Sequence, residues 1–231
     1  MLQFEPSALR QSNATYEAKN AEIKSNGLNL PATLYRLHTT KKDTDVYQRL
    51  TNKLKELVED VTEISIDKDE KRDLLTLQIN FKGGLKLPAQ SLSDGTLRFL
   101  GLAIIEQDSM CSGLVCLEEP ENGINPQKIE QMVALLMDMA TNTNEAIINE
   151  NPLRQVIINT HSPIVVSSVA VEMVYLAKSR EIFMPEFNKK IKCTGFAALP
   201  NTWRTEGENP LAEKISMGEL TAYNRTMFFE K

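Results

Sequence analysis

The residues best suited to chemistry are two adjacent acids, Glu118 and Glu119, which close the apolar run Leu114-Val-Cys-Leu117 and precede Pro120 and Glu121. An apolar strand ending in acids delivers carboxylates to the carboxyl edge of a parallel sheet, where open α/β folds bind ligands. Neighbouring residues on an extended chain point in opposite directions, so one acid can orient a hydrated Mg2+ while the other polarises a water for attack on phosphorus. A solvated acidic turn is the plainer alternative. Ser91-Leu-Ser-Asp-Gly-Thr-Leu-Arg98 sets a hydroxyl, a glycine and free backbone N–H groups at a helix start, a ready anion site that would accept phosphate. Ser93 is equally a good N-cap followed by an acidic first turn. Val156-Ile-Ile-Asn-Thr-His-Ser-Pro163 places His161 after a second apolar strand, where it can share the sheet edge with the carboxylates or serve as a hydrogen-bonded structural residue. The other histidine, His38, reads as surface.

Periodicity names the elements that must position these groups. Val46, Leu50, Leu54, Leu57 and Val58 put one apolar stripe on a helix over about 43–60. Leu75, Leu77, Ile79 and Phe81 alternate with Thr76, Gln78 and Asn80, the pattern of a half-buried antiparallel strand closed by Gly83-Gly84. From residue 88 the character changes. A Ser/Gly turn opens a helix to about 106, and Gly113–Leu117 is a short continuous apolar run, expected to be a buried parallel strand. Pro126 opens a helix carrying Ile129, Met132, Val133, Leu136 and Met139. Gln155–Asn159 and Val171–Ala177 read as two further buried strands. Strands alternating with helices indicate an α/β parallel sheet with flanking helices, and the first zone adds a small antiparallel β and helical segment. The expected divisions are 1–87 for that segment, 88–184 for the α/β core and 185–231 for an appendage with the only tryptophan, Trp203, and a helix from Pro210.

With 231 residues, 42% of them hydrophobic and 25% charged, the chain can bury a substantial core. No apolar run approaches the ~18 residues of a membrane span. No secretory leader is visible, so the cytoplasm is expected. Three cysteines, Cys111, Cys116 and Cys193, without CxxC spacing support neither a disulfide framework nor a zinc site. A net charge of −5 lacks the footprint of a strong nucleic-acid binder, although a local basic patch remains open.

Taken in order, the serine–glycine helix start, the tandem acids and the strand-end histidine resemble the ATP-binding cassette ATPases, in particular the SMC-, RecF- and OLD-like branch grouped with AAA ATPases. Leu92–Thr96 looks like the signature motif, Leu114–Glu119 like Walker B, Pro120–Pro126 like the D-loop and His161 like the switch histidine. The resemblance is strongest over about 88–178. It implies a P-loop NTPase-like fold and an ATPase using ATP and Mg2+. Glu118 would hold the metal through water and Glu119 would be the general base. His161 would contact the γ-phosphate. Ser93, Asp94, Gly95 and Thr96 would close over a nucleotide held mainly by another protomer, with Asn125 in the D-loop. The resemblance also implies a head-to-tail homo-oligomer and possible coupling to DNA or partner proteins in repair or phage defence.

No GxxxxGK[ST] occurs in the sequence, so the main phosphate cradle is absent from it. The family places that motif in a lobe before the signature. The expectation is therefore the C-terminal portion of a larger protein without its P-loop lobe, or a non-catalytic module that completes the site of a P-loop-bearing partner. A sheet lacking strands leaves unpaired edges and apolar surface, so dimers or aggregates are expected.

Overall fold

The structure is a computed structural model that describes residues 2–40, 45–202, 205–206, 213–216, 218–220 and 222. Trp203 and the helix expected from Pro210 lie outside the described residues. Two compact units divide the chain, Met1–Thr160 and His161–Lys231.

The first unit opens with α1 (Pro6–Leu9), the two-residue strand β1 (Asn13–Ala14) and α2 (Leu30–Thr40). α3 (Val46–Leu57) starts where the Asp45 carboxylate accepts the Gln48 N–H at 3.0 Å, and its stripe Val46, Leu50 and Leu54 is buried. β2 (Val61–Asp69) and β3 (Leu74–Phe81) pair antiparallel. Leu75, Leu77 and Ile79 are wholly buried, as the alternation requires. β1 and β4 (Lys86–Pro88) also pair with β3, completing the small antiparallel sheet. α4 (Asp94–Gln107) is apolar on nearly every side, with Leu97, Phe99, Leu100 and Ile104 fully enclosed. A helix of that kind must run through the interior.

β5 (Gly113–Glu118), α5 (Ile129–Met139) and β6 (Arg154–Asn159) follow, and the two strands pair parallel from Gly113 with Arg154 through Glu118 with Asn159. Leu2 adds a parallel bridge beside Leu117. The continuous apolar run led to the expectation of strands buried on both faces, but only one face is covered. Val115 and Leu117 are buried, whereas Leu114 and Ile157 on the opposite face are each 57% exposed. Parallel sheets are ordinarily covered by helices on both sides, and no described segment of this unit covers that face.

Arg154 anchors the start of β6. Its side chain is 2% exposed and donates from Nε to the Cys111 carbonyl at 2.6 Å, from Nη2 to the Asp108 carbonyl at 2.7 Å and from Nη1 to the Met139 carbonyl at 3.3 Å. Two of those carbonyls, Asp108 and Met139, belong to the carboxyl ends of α4 and α5, where the helix dipole attracts a cation. The Asp108 carboxylate is occupied elsewhere, paired with the buried Arg36.

The second unit contains α6 (Pro163–Ser167), the long antiparallel hairpin of β7 (Leu176–Met184) and β8 (Lys189–Ala198), and the short β9 (Glu213–Lys214) parallel to β8. Its core is Ala197, Leu199, Ile215 and Leu220. The buried parallel strand expected over Val171–Ala177 is not present. Val171–Met173 is a single 3-10 turn, closed by the Met173 N–H on the Ala170 carbonyl at 2.9 Å. The strand begins at Leu176 and pairs with its sequence neighbour through the turn Pro185–Phe187, with Asn188 left-handed. A hairpin partner needs no crossover, so local pairing prevails over addition to the parallel sheet.

Candidate active site

The register of β5 against β6 sets Glu118 beside Asn159 at the carboxyl edge of the parallel pair. Glu118 is exposed and Glu119 half-buried. The Glu119 N–H continues the ladder by donating to the Asn159 carbonyl at 2.8 Å. At Glu119 the chain then turns left-handed, with φ at +42°. A glutamate held there stores strain that its surroundings must offset, which is characteristic of functional turns. Two hydrogen bonds do so: the Asn122 side chain donates to Glu119 Oε2 at 2.6 Å, and the Asn122 N–H donates to the Glu119 carbonyl at 3.0 Å. Glu118 thus closes the strand, and Glu119 lies in the left-handed turn that follows it.

The loop from Glu119 to Asn125 is fastened on both sides. Glu121, 8% exposed, accepts a hydrogen bond from the Thr160 hydroxyl through Oε1, while Oε2 is buried with no hydrogen-bond partner among the described residues. On the other side, Gly95 in the first turn of α4 lies directly on the loop. A Cβ at Gly95 would sit 2.1 Å from the Gly123 carbonyl oxygen. Gly123 has φ of +81°, so the two glycines permit a backbone-to-backbone approach that side chains would block. The start of α4, the tandem acids and the end of β6 thus converge through this one loop.

At the start of α4, Ser93 Oγ accepts the Thr96 N–H at 3.1 Å and lies 2.7 Å from Thr96 Oγ1, an N-cap. Asp94 forms an ion pair with Arg10, whose guanidinium also donates to the Leu92 carbonyl at 2.8 Å. Asn125 caps the following 3-10 turn, accepting the Gln127 N–H at 3.0 Å. Ser93, Asp94, Thr96 and Asn125 therefore all have local partners, and Gly95 is used in packing. His161 is exposed and begins the second unit, next in the chain after Thr160.

Three residues of this arrangement escaped the sequence reading. Arg10 and Thr160 lie 84 and 39 residues from their partners, and nothing in their own surroundings singles them out. Glu121 had a signal, an acid two residues past the tandem pair inside the motif-like segment Pro120–Pro126.

Among the described residues no group of three or more histidine, cysteine, aspartate or glutamate side chains could enclose a metal ion. Mg2+ does not require one, since it is commonly held by one or two carboxylates together with substrate phosphates. The exposed Glu118 carboxylate at the strand end fits that mode. No helix among the described residues is long and apolar enough to cross a membrane.

The unit is thus mixed α/β, with paired acids at a parallel strand end and a serine–glycine helix start packed on the loop that follows them. Residues 34–167, more than half of the chain, match the family AAA_21, described as "AAA domain, putative AbiEii toxin, Type IV TA system", and the chain belongs to that family. No curated protein matches it. Among solved structures, one from work on ATP-driven dimerisation and DNA-stimulated activation of SMC ATPases shares 7% identity at a TM-score of 0.40, covering 64% of this chain and 82% of that one. The Smc head domain with a coiled coil and joint from Pyrococcus yayanosii shares 9% at 0.43, covering 74% of this chain and 30% of its own. The Smc head domain with an extended coiled coil, bound to the C-terminal domain of ScpA, from Pyrococcus furiosus shares 8% at 0.43, covering 74% and 38%. This chain thus spans less than half of either archaeal chain, and the family match carries the assignment.

Proposed function

We propose that this chain supplies the signature, Walker B and switch-histidine portion of an ABC-type ATPase of the SMC-, RecF- and OLD-like branch, which hydrolyses ATP at a head-to-tail dimer interface. The observation that carries this reading is the fastening of Glu119: its N–H bonded to the strand end at Asn159, its backbone left-handed and its carboxylate held by Asn122. A general base must be ionised and held in a fixed place, and the Asn122 bond supports both for Glu119 at the sheet edge. Glu119 is the base, and Glu118 would hold Mg2+. When bound, the metal supplies charge neutralisation on the phosphates. His161 meets the γ-phosphate, and Ser93, Asp94, Gly95 and Thr96 close over it from the opposite protomer, with Asn125 in the D-loop. Positioning and charge stabilisation account for most of the catalysis.

The bare face of the β5–β6 pair, with Leu114 and Ile157 exposed, supports a second reading in which the same residues complete the site of a separate P-loop-bearing polypeptide. In both readings the P-loop arrives from outside the sequence given, and the face open to it carries the exposed Leu114 and Ile157. The family's description names a "putative AbiEii toxin, Type IV TA system", and the activity we propose is exercised in the cytoplasm on DNA or a partner protein in repair or phage defence.

The test is Glu119→Gln in the assembly that contains the P-loop. Turnover should fall by about three orders of magnitude or more while ATP binding persists, as expected when a general base and the water it orients are lost together. Undiminished turnover would remove Glu119 from the role of base. Co-purification and hydrolysis restored in trans would select the second reading over the first.

A further inference from the structure

The Glu121 carboxylate combines three observations that the ATPase reading does not use. It is buried, one oxygen has no partner among the described residues, and the other accepts the hydroxyl of the last residue of the first unit. Burying a carboxylate with a single hydrogen bond is poor for stability, because an apolar side chain of similar volume would spare its desolvation. Fold stability therefore does not explain it, whereas the position of its bond does. Thr160 is joined to Glu121, and the neighbouring Asn159 carbonyl accepts the Glu119 N–H at 2.8 Å. The two bonds clasp the loop after β5 to the end of β6 at the point where the chain leaves this unit toward His161.

We propose that Glu121 is a positioning residue, which through the Thr160 hydroxyl fixes the Glu119 turn against the end of β6 and so fixes the point from which the His161 segment departs. This rests on the ATPase reading for its consequence in turnover but not for the clasp itself, so the two can fail separately.

The experiment uses Thr160→Val, which removes the hydroxyl at nearly constant shape, Thr160→Ser, which keeps it, and Glu121→Gln, which keeps an acceptor oxygen. In the full chain, amide hydrogen exchange at Glu119, Asn122 and Ile124 should accelerate about tenfold or more in Thr160→Val, the scale of a hydrogen bond to a charged acceptor. Leu77 and Ile79 in β3 should be unchanged, Thr160→Ser should stay close to the parent, and Glu121→Gln, a neutral acceptor, should fall between the parent and Thr160→Val. No acceleration in Thr160→Val, or an equal acceleration in β3, overturns the clasp. In the P-loop-containing assembly, Thr160→Val should lower kcat at unchanged KM, and Thr160→Ser should restore it. If Glu119→Gln abolishes turnover but Thr160→Val hydrolyses ATP like the parent, the positioning role fails and the ATPase reading stands. If Glu119→Gln turns over normally, the ATPase reading fails and the exchange measurement still decides the clasp.

Discussion

Gly95→Ala tests whether the signature-like glycine serves packing as well as any ligand. The added methyl would lie 2.1 Å from the Gly123 carbonyl oxygen, 2.6 Å from its carbon and 3.0 Å from the Ile124 nitrogen, all backbone atoms that no rotamer change can move. Restoring ordinary contact requires the first turn of α4 and the Glu119–Asn125 loop to separate by about 1 Å or more. Overpacking of this kind costs about 1–3 kcal/mol. Alanine recovers at most about 1 kcal/mol through its helix preference, so the steric term wins. We expect a net loss of about 1–2 kcal/mol, seen in urea unfolding and as a Tm lower by roughly 2–8 °C for a chain of this size. Hydrogen exchange should locate the loosening at the loop, with β3 unaffected. A Gly95→Ala protein as stable as the parent, or more so, would show that helix preference dominates and that the close approach does not exist.

Two further outcomes follow from polar groups away from the site. Arg154→Met removes the bonds to the Cys111, Asp108 and Met139 carbonyls, of which Asp108 keeps the Cys111 N–H at 3.1 Å, and should cost about 3 kcal/mol or more, read as a lower urea midpoint. Arg154→Lys should recover only part of it, because an ammonium cannot reproduce the planar fork, and full recovery would refute the three-carbonyl account. Tyr47, stacked on His38 at 4.1 Å, has its hydroxyl pushed up to about 12, first by burial and then by Tyr35 nearby. The folded state holds that proton more tightly than the unfolded chain, whose ordinary value is 10.0. Its contribution to stability is therefore complete below that value and lost as pH rises toward 12. Tyrosinate absorption should show a late phase that Tyr47→Phe removes, and an unchanged titration curve would count against the burial.

Much of the positioning framework was legible because it rests on local periodicity. The Val46–Leu50–Leu54 stripe, the alternation in β3, the apolar run of β5 and Pro126 ahead of α5 each announce an element through spacing alone. The tandem acids were legible for the same reason, since a strand that ends in carboxylates declares its own edge. Features decided by distant parts of the chain were not. Gly95 reads as a ligand-contacting glycine, and only the fold reveals Gly123 against it. Arg154 looks like a charge misplaced at a strand start until two helix ends converge on it. Leu114 and Ile157 were expected inside because an apolar run carries no record of whether a second layer is present. Val171–Ala177 misled for a related reason: its apolar residues suit a strand, but the chain beyond offers a hairpin partner starting only at Leu176.

The claim on which the function rests is that the carboxylates after β5 and the end of β6 face a metal-bound triphosphate. Mn2+ in place of Mg2+, with a slowly hydrolysed ATP analogue, can be added to the P-loop-containing assembly with this chain isotope-labelled. Paramagnetic broadening should then be greatest at Glu118, Glu119 and Asn159, reach His161, depend on the nucleotide and leave Leu77 and Ile79 sharp. Broadening centred elsewhere, or unchanged when the nucleotide is omitted, would contradict the account.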